Sequence, residues 1–311
     1  MSVPRVSCLL PVYNGEAFLR EAIRSIQAQS FTDFEIVVVD DGSTDGTPEI
    51  LAQLASDDPR IRVRRQPNGG IVAALNAGIE LCRGEFIARM DADDIALPDR
   101  FEVQVRHLEA HPGCVLVGGV AKQLAPDGSM LGGTTGGRHR VTDLNVFPPK
   151  VAVSMHPLIM VRRAALLKIG GYRADFPHAE DYDLFIRLAK LGTIDNPDRA
   201  VLIYRRHEGA ISLKHLELQE RSAALAEVEA CTAHRNGRPA VGEIPAWVVE
   251  PYIRFRILRR YFSVDRAKAK ALLPRVIGDI GSLSFRTLLS RDYWTLRVRM
   301  AAWVARSLAR A

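Results

Sequence analysis

Asp91-Ala92-Asp93-Asp94 follows the apolar run Glu85-Phe-Ile-Ala-Arg-Met90. Two carboxylates one residue apart at the carboxyl end of a strand can share a hard divalent cation. A cation held by only one or two carboxylates completes its shell with water and phosphate oxygens, which points to a nucleotide diphosphate ligand. By itself the tetrapeptide is equally an acidic turn ahead of Pro98. Its meaning depends on the residues that accompany it.

Those residues form an ordered series. Val6-Ser-Cys-Leu-Leu-Pro-Val-Tyr-Asn-Gly15 reads as a buried strand that breaks at Pro11 and Gly15, with a helical period over Glu16 to Gln29 behind it. Phe34-Glu-Ile-Val-Val-Val-Asp-Asp41 is a second strand ending in two carboxylates and the turn Gly42-Ser-Thr-Asp-Gly46. Next come Asn68-Gly-Gly-Ile-Val-Ala-Ala-Leu-Asn76 and the Asp91 motif, backed by Pro98, Arg100 and Gln104. Gly170-Gly-Tyr-Arg173, Glu180-Asp-Tyr-Asp-Leu184 and Tyr204-Arg-Arg-His207 complete the series. Strand-like runs at 5–12, 34–40, 61–66 and 85–90 alternate with helical periods, the pattern of a mostly parallel sheet covered by helices. The polar clusters fall just after the strands, where open α/β sheets bind ligands.

Over residues 5 to 215 the order of these motifs resembles the family 2 glycosyltransferases. The resemblance implies the GT-A fold, a Rossmann-like mixed and mostly parallel sheet with helices on both faces. It also implies inverting transfer from a nucleotide-diphosphate sugar, a UDP-sugar first, to a hydroxyl of a glycan or lipid-linked acceptor in polysaccharide biosynthesis. By that match Pro11, Tyr13 and Glu16 line the nucleoside pocket, and Asp41 accepts from the imino group of a uracil-like base, although Asp41 with Ser43 would also make an Asx-type turn. Asn68, Gly69 and Gly70 bring backbone near the ligand at the start of a helix over 71–82, and Asn76 orients that loop. Asp91 is matched to the ribose and the metal shell, and Asp93 to direct metal binding, with Asp94 turned to the Ala96–Pro98 turn. His207 is matched to an occasional third ligand. Imidazole suits Mn²⁺ better than Mg²⁺, so the cofactor expected is a divalent cation, Mn²⁺ ahead of Mg²⁺.

Asp181 is matched to the general base. It opens a helical segment, Asp181–Leu191, whose apolar face is Leu184, Phe185, Leu188 and Leu191. A helix amino terminus favours the ionised carboxylate that a base requires, and equally a carboxylate that only caps its own helix. The Gln-x-x-Arg-Trp box of processive synthases is missing, so single additions are expected rather than polymerisation. Residues 207–215 read as a lid, and Ser154-Met-His-Pro157 as an acceptor-side loop.

The chain has 311 residues, enough for one α/β core with a smaller helical extension. We expect a catalytic domain over 1–236 and a basic helical extension over 237–311. The extension opens at the linker-like Gly237–Pro245 and holds helices near 246–261, 264–274 and 293–310. Residues 251–311 carry 14 Lys+Arg against 3 Asp+Glu, whereas residues 1–250 carry 28 against 33. On a helical wheel Arg299, Arg306 and Arg310 oppose Trp294, Ala301, Val304 and Leu308. Such a helix suits an anionic membrane surface or packing on the catalytic domain or on a second subunit in a homodimer. No zinc-finger, homeodomain or RNA-binding signature accompanies the charge, which argues against nucleic acid.

Met1-Ser-Val-Pro-Arg runs straight into the first strand, and no run reaches the roughly 18 apolar residues of a spanning helix. Cys8, Cys82, Cys114 and Cys231 lack metal or redox spacing, as free thiols in a reducing cytosol would. A cytoplasmic enzyme is therefore expected, peripheral at the inner face of the membrane if the basic helices meet lipid. Two other classes stay open. A sugar-nucleotide pyrophosphorylase would need a Gly-rich phosphate loop after the first strand, where Pro11–Gly15 stands. An inactive nucleotide-binding scaffold would be expected to have lost Asp93 or Asp181.

Overall fold

In the computed structural model, which describes residues 3–136, 142–143, 150–206, 215–234, 246–286 and 291–308, strands β1 (Val6–Val12) and β2 (Phe34–Asp40) are buried along their whole length. Runs apolar on both faces belong at the centre of a parallel sheet. β1 pairs in parallel with β2 on one side and with β4 (Phe86–Arg89) on the other. Beyond β2 lies β3 (Ile61–Arg65), also parallel. β4 reaches only Leu9↔Arg89, so Pro11, opposite Val39, lies past the last β4 pair. A proline is tolerated there, and the strand runs through it to Val12 instead of breaking.

The chain divides into two compact units, one of residues 1–140, 152–174 and 187–210, the other of 141–151, 175–186 and 211–311. In the first, helices α1 (Leu19–Gln27), α2 (Thr47–Asp57) and α3 (Gly70–Leu81) connect the parallel strands. Helix α1 buries Leu19, Ala22, Ile23 and Ile26, one face at helical spacing. It starts later than Glu16 because the N–H groups of Gly15 and Glu16 donate to the side chains of Thr47 and Asp45. After the short β5 (Ile95–Ala96) and α4 (Arg100–Ala110), β6 (Cys114–Val117) extends the main sheet, while β7 (Val120–Leu124) and β8 (Met130–Gly136) form a hairpin. β9 (Met160–Arg162) lies antiparallel between β4 and β6. α5 (Arg163–Lys168) follows it. With β10 (Thr193–Asp195) at its edge, the sheet has seven strands in the order β10-β6-β9-β4-β1-β2-β3. A second sheet, β5-β11-β7-β8, contains β11 (Ala200–Arg205). This is the mixed, mostly parallel α/β architecture read from the sequence.

Two side chains behind the acidic motif fix its floor. Fully buried Arg100 donates to the carbonyl of Arg89 at 2.8 Å, and Gln104 donates to those of Leu158 at 2.6 Å and Gly118 at 3.0 Å. The end of β4, the segment before β9 and the residue after β6 are thereby held by one pair of side chains.

Among the described residues the second unit holds the first residues of α6 (Glu180–Leu188) and four further helices. These are α7 (Leu216–His234), α8 (Ala246–Val264), α9 (Arg266–Arg286) and α10 (Arg291–Leu308). Tyr252, Phe255, Leu258, Met300 and Val304 share its core, and Trp303 meets Phe255 and Phe262 edge-on at 5.6 and 5.4 Å. α9 passes through Pro274 instead of stopping there. A proline inside a helix removes one hydrogen bond and bends the axis, and packed turns on either side can carry the helix past it. On α10 Val304 is buried and Arg306 exposed, the sense of the expected wheel. Among the described residues no helix is long and apolar enough to cross a membrane. Cys8, Cys82 and Cys114 are buried free thiols.

Candidate active site

The loop after β1 and the loop after β2 are stitched together. Asn14, in the left-handed region at φ 53°, accepts the Thr44 N–H at 2.8 Å, and its own N–H donates to Ser43 Oγ at 2.9 Å. Asn tolerates that conformation better than most residues. Glu16 accepts the Gly46 N–H at 2.9 Å, and a side chain at 46 would meet the Glu16 carboxylate. Pro11 is buried in β1 and Tyr13 is 54% exposed. Glu16 is thus a brace between two loops, a function that sequence spacing does not reveal.

The two carboxylates ending β2 divide their work. Asp40 is buried, accepts the Ser43 N–H at 2.9 Å and pairs with Arg65 at 3.3 Å, so the Asx turn belongs to Asp40 and not to Asp41. Asp41 Oδ1 accepts from Gln66 at 2.8 Å and from the Gly69 N–H at 3.0 Å, while Oδ2 accepts from the Gly70 N–H at 2.8 Å. Both glycines stand at the amino end of α3, which starts at Gly70, and Gly70 has φ 81°. An anion at orphan helix N–H groups is favourable. Asn68 is exposed beside them. Asn76 forms a two-way clamp with Tyr172, donating to its carbonyl and accepting its N–H, both at 2.9 Å. It therefore orients the Gly170–Tyr172 turn. Gly171, at φ 70°, has no room for a Cβ against Asn76 Oδ1. The Tyr172 hydroxyl meets His156 Nε2 at 2.7 Å, and burial holds that imidazole well below its ordinary range, hence neutral.

The acidic motif starts where β4 stops. Asp91, Asp93 and Asp94 bring one carboxylate oxygen each within 4.8 Å of one another. Asp91 pairs with the buried guanidinium of Arg89 at 2.6 Å. Asp94 is fully buried. One of its oxygens accepts the Arg205 N–H at 3.0 Å, and the other, Oδ2, has no hydrogen-bond partner. Burial, with Asp91 and Asp93 adding like charge, pushes the Asp94 carboxyl up to about 8. Arg205, the last residue of β11, also donates from Nε to the Asp93 carbonyl at 2.9 Å and pairs with Glu21 at 2.5 Å. Asp94 is thus held by β11 rather than serving the Ala96–Pro98 turn. Its neighbours Arg89 and Arg205 escaped the sequence reading, although Arg205 stands inside the Tyr204–His207 motif. His207 and most of the expected lid lie outside the described residues.

Asp181 belongs to the second unit. It stands in the first turn of α6, where Glu180 and Asp183 are also acidic, and its Oδ1 accepts the Tyr182 N–H at 2.7 Å. Leu184, Phe185 and Leu188 are buried as the apolar period requires. His178, at φ 61°, stacks on His215 with ring centroids 4.2 Å apart, a contact between residues that no local pattern joins.

A second cluster of metal-type side chains, His107, Cys114 and Asp195, is internally satisfied. His107 Nε2 meets Asp195 Oδ2 at 2.9 Å, and the Cys114 thiol, pushed up to about 11 by burial, donates to the Leu116 carbonyl. A protonated thiol is a poor metal ligand, and the cluster reads as a sheet-edge brace.

The sequence profile described as Glycosyl transferase family 2 matches residues 7–170. An uncharacterized glycosyltransferase of Haemophilus influenzae is 30% identical over 75% of this chain and 75% of its own length. The chain spans 22% of the length of two longer Pasteurella multocida synthases that it also matches. Among solved structures, S. aureus TarS 1-349 in complex with UDP-GlcNAc superposes with TM-score 0.61 at 19% identity, over 97% of this chain and 88% of that one. A mannosyltransferase from Pyrobaculum calidifontis in complex with GDP-Man and Mn2+ superposes with TM-score 0.59 at 20% identity, over 99% and 87%. At such identities the structural likeness concerns the fold.

Proposed function

The chain belongs to glycosyl transferase family 2 and is a glycosyltransferase, and on that premise we propose that it transfers a sugar with inversion from a nucleotide-diphosphate donor, UDP-linked first, to a hydroxyl of a glycan or lipid-linked acceptor. A divalent cation, Mn²⁺ ahead of Mg²⁺, would be held by Asp93 and Asp91, with Asp94 beneath them and His207 as a third ligand. One observation carries the reading: three carboxylate oxygens converge at the carboxyl end of β4 while the buried Asp94 Oδ2 has no hydrogen-bond partner. Like charges so close disfavour full ionisation until positive charge is added. A bound cation supplies electrostatic stabilisation to the departing nucleoside diphosphate. The structural neighbour solved with GDP-Man and Mn2+ supports the same chemistry.

The chain's own residues would divide the remaining work. An ionised carboxylate offers about four acceptor sites, and Asp41 uses three of them within the protein. The fourth, on Oδ2, would take the imino N–H of the base, with Tyr13 over the ring. Pro11, Glu16, Asn68, Gly69, Gly70 and Asn76 shape this pocket. Asp181 would take the acceptor proton. We keep residues 1–236 as the catalytic portion and 237–311 as its helical extension. A panel of UDP- and GDP-sugars, screened for thermal stabilisation with Mn²⁺ and with chelator, tests the reading. A rise in Tm for one nucleotide class that needs the metal is the expected result, and a panel without any metal-dependent shift would remove the donor assignment.

A membrane-facing role for the extension is the second reading. Arg259, Arg260, Arg266, Lys268, Lys270 and Arg275 are exposed near the exposed Val264 and Ile277. Basic side chains near an anionic surface contribute about 1 kcal/mol each. The protein should sediment with phosphatidylserine-containing vesicles at low salt and release as salt rises. Failure to sediment under any salt condition would leave packing against protein as the role of these helices.

A further inference from the structure

We propose that Tyr182 is a positioning residue for the Asp181 carboxylate, locked by Glu227, Arg256 and Tyr252, so that α7 and, from the helical extension, α8 hold the base in place. The inference rests on the reading of Asp181 as the base and extends it to Tyr182, inside the Glu180–Leu184 motif, and to Glu227, Arg256 and Tyr252, which no motif marks.

Tyr182 is held at both ends. Its backbone N–H donates to Asp181 Oδ1 at 2.7 Å, and its hydroxyl donates to Glu227 Oε1 on α7 at 2.5 Å. The Arg256 guanidinium lies 5.7 Å from the centroid of its ring, within cation–π range. Glu227 is buried and collects two further donors from α8: Arg256 Nη1 on Oε1 at 2.6 Å and the Tyr252 hydroxyl on Oε2. Arg256 is fixed in turn by Glu220 Oε2 at 2.8 Å. One helix turn away the Tyr261 hydroxyl donates to Glu217, so α7 and α8 meet along a row of charge-assisted bonds.

Such a row is a costly way to join two helices. Apolar residues of similar volume serve stability as well or better than a buried ion pair, and the neighbouring Leu258 and Ala224 show that this interface accepts them. What the polar row adds is direction. A buried network in which every member is engaged permits one arrangement, and here it fixes the residue whose N–H orients Asp181. A base in a first turn crowded by Glu180 and Asp183 needs that constraint, because a carboxylate that rotates away loses its alignment with the acceptor proton. Burial and the Glu227 charge also push the Tyr182 phenol upward, so it stays a donor across the working pH range.

The test is a double-mutant cycle on the full-length chain, with Asp181→Asn and Tyr182→Phe. Turnover is read as nucleotide diphosphate release from the donor found in the panel above, with water as acceptor. UDP–Mn²⁺ affinity is read by titration. Tyr182→Phe should lower kcat by up to about 10²-fold with unchanged UDP–Mn²⁺ affinity, and should have no further effect in the Asp181→Asn background. Unchanged kcat, an equal loss in both backgrounds, or lost nucleotide affinity would overturn the inference, since a merely structural defect is additive. If Tyr182→Phe fails to fold by circular dichroism, Tyr252→Phe, one bond further out, goes through the same cycle with the same expectations. Full turnover by Asp181→Asn alone would instead overturn the base assignment, and this inference with it.

Discussion

Asp93→Ala is expected to abolish sugar transfer, by at least about 10²–10³-fold in kcat/KM, and to remove most of the metal-dependent part of donor binding. Its carboxylate is one of three that converge after β4, and the proposal gives it the most direct contact with the cation. The fold should survive the change. The ties between this loop and β11 run from Arg205 to the Asp93 carbonyl and to the Asp94 carboxylate, and neither acceptor is removed by truncating the Asp93 side chain. A loop substitution that leaves the core alone changes stability by about 0.5 kcal/mol or less. Thermal unfolding close to wild type together with lost transfer is the expected pair of results. Wild-type-like transfer by the variant would dismiss Asp93 as a ligand.

Asp181→Asn is expected to lower turnover by about 10²–10⁴-fold, the usual worth of a positioned general base, with near-normal donor affinity. Asparagine keeps the size of the side chain and an oxygen able to accept the Tyr182 N–H that Asp181 Oδ1 now accepts. Only the capacity to take a proton is lost. Metal and donor would still be held by Asp41, Asp91 and Asp93, so titration of UDP with Mn²⁺ should separate the two roles. Lost UDP binding in a folded variant would move Asp181 to the donor site, and unchanged turnover would exclude it from the chemistry.

How far the sequence could be read follows from the range over which each feature is determined. β1 and β2 were legible because residues apolar on both faces leave few alternatives to a central parallel strand, and the grouping of the Asp91 and Asp93 carboxylates because their spacing is local. Asp94 was misread, since its partner is the N–H of Arg205, 111 residues away and brought there by the pairing of β11 with β5. The Asn76–Tyr172 clamp and the pairing of Tyr182 with Glu227 depend on contacts of the same kind. Glu16 shows a different limit. Its type and position suit a pocket, but the bond it accepts from the Gly46 N–H, which braces the two loops, has no signal in local spacing. In the tail the helix expected near 264–274 stops too early, because tertiary packing carries α9 through Pro274 to Arg286.

In the proposed mechanism nucleotide and cation bind together at the carboxyl ends of the central strands. Its most direct test is transfer by the wild-type chain, using the donor found in the panel, after exhaustive chelation and again after Mn²⁺ is restored. Transfer should fall to background on chelation and return with Mn²⁺ in wild type but not in Asp93→Ala. Equal transfer with and without chelator in the wild-type chain would contradict it.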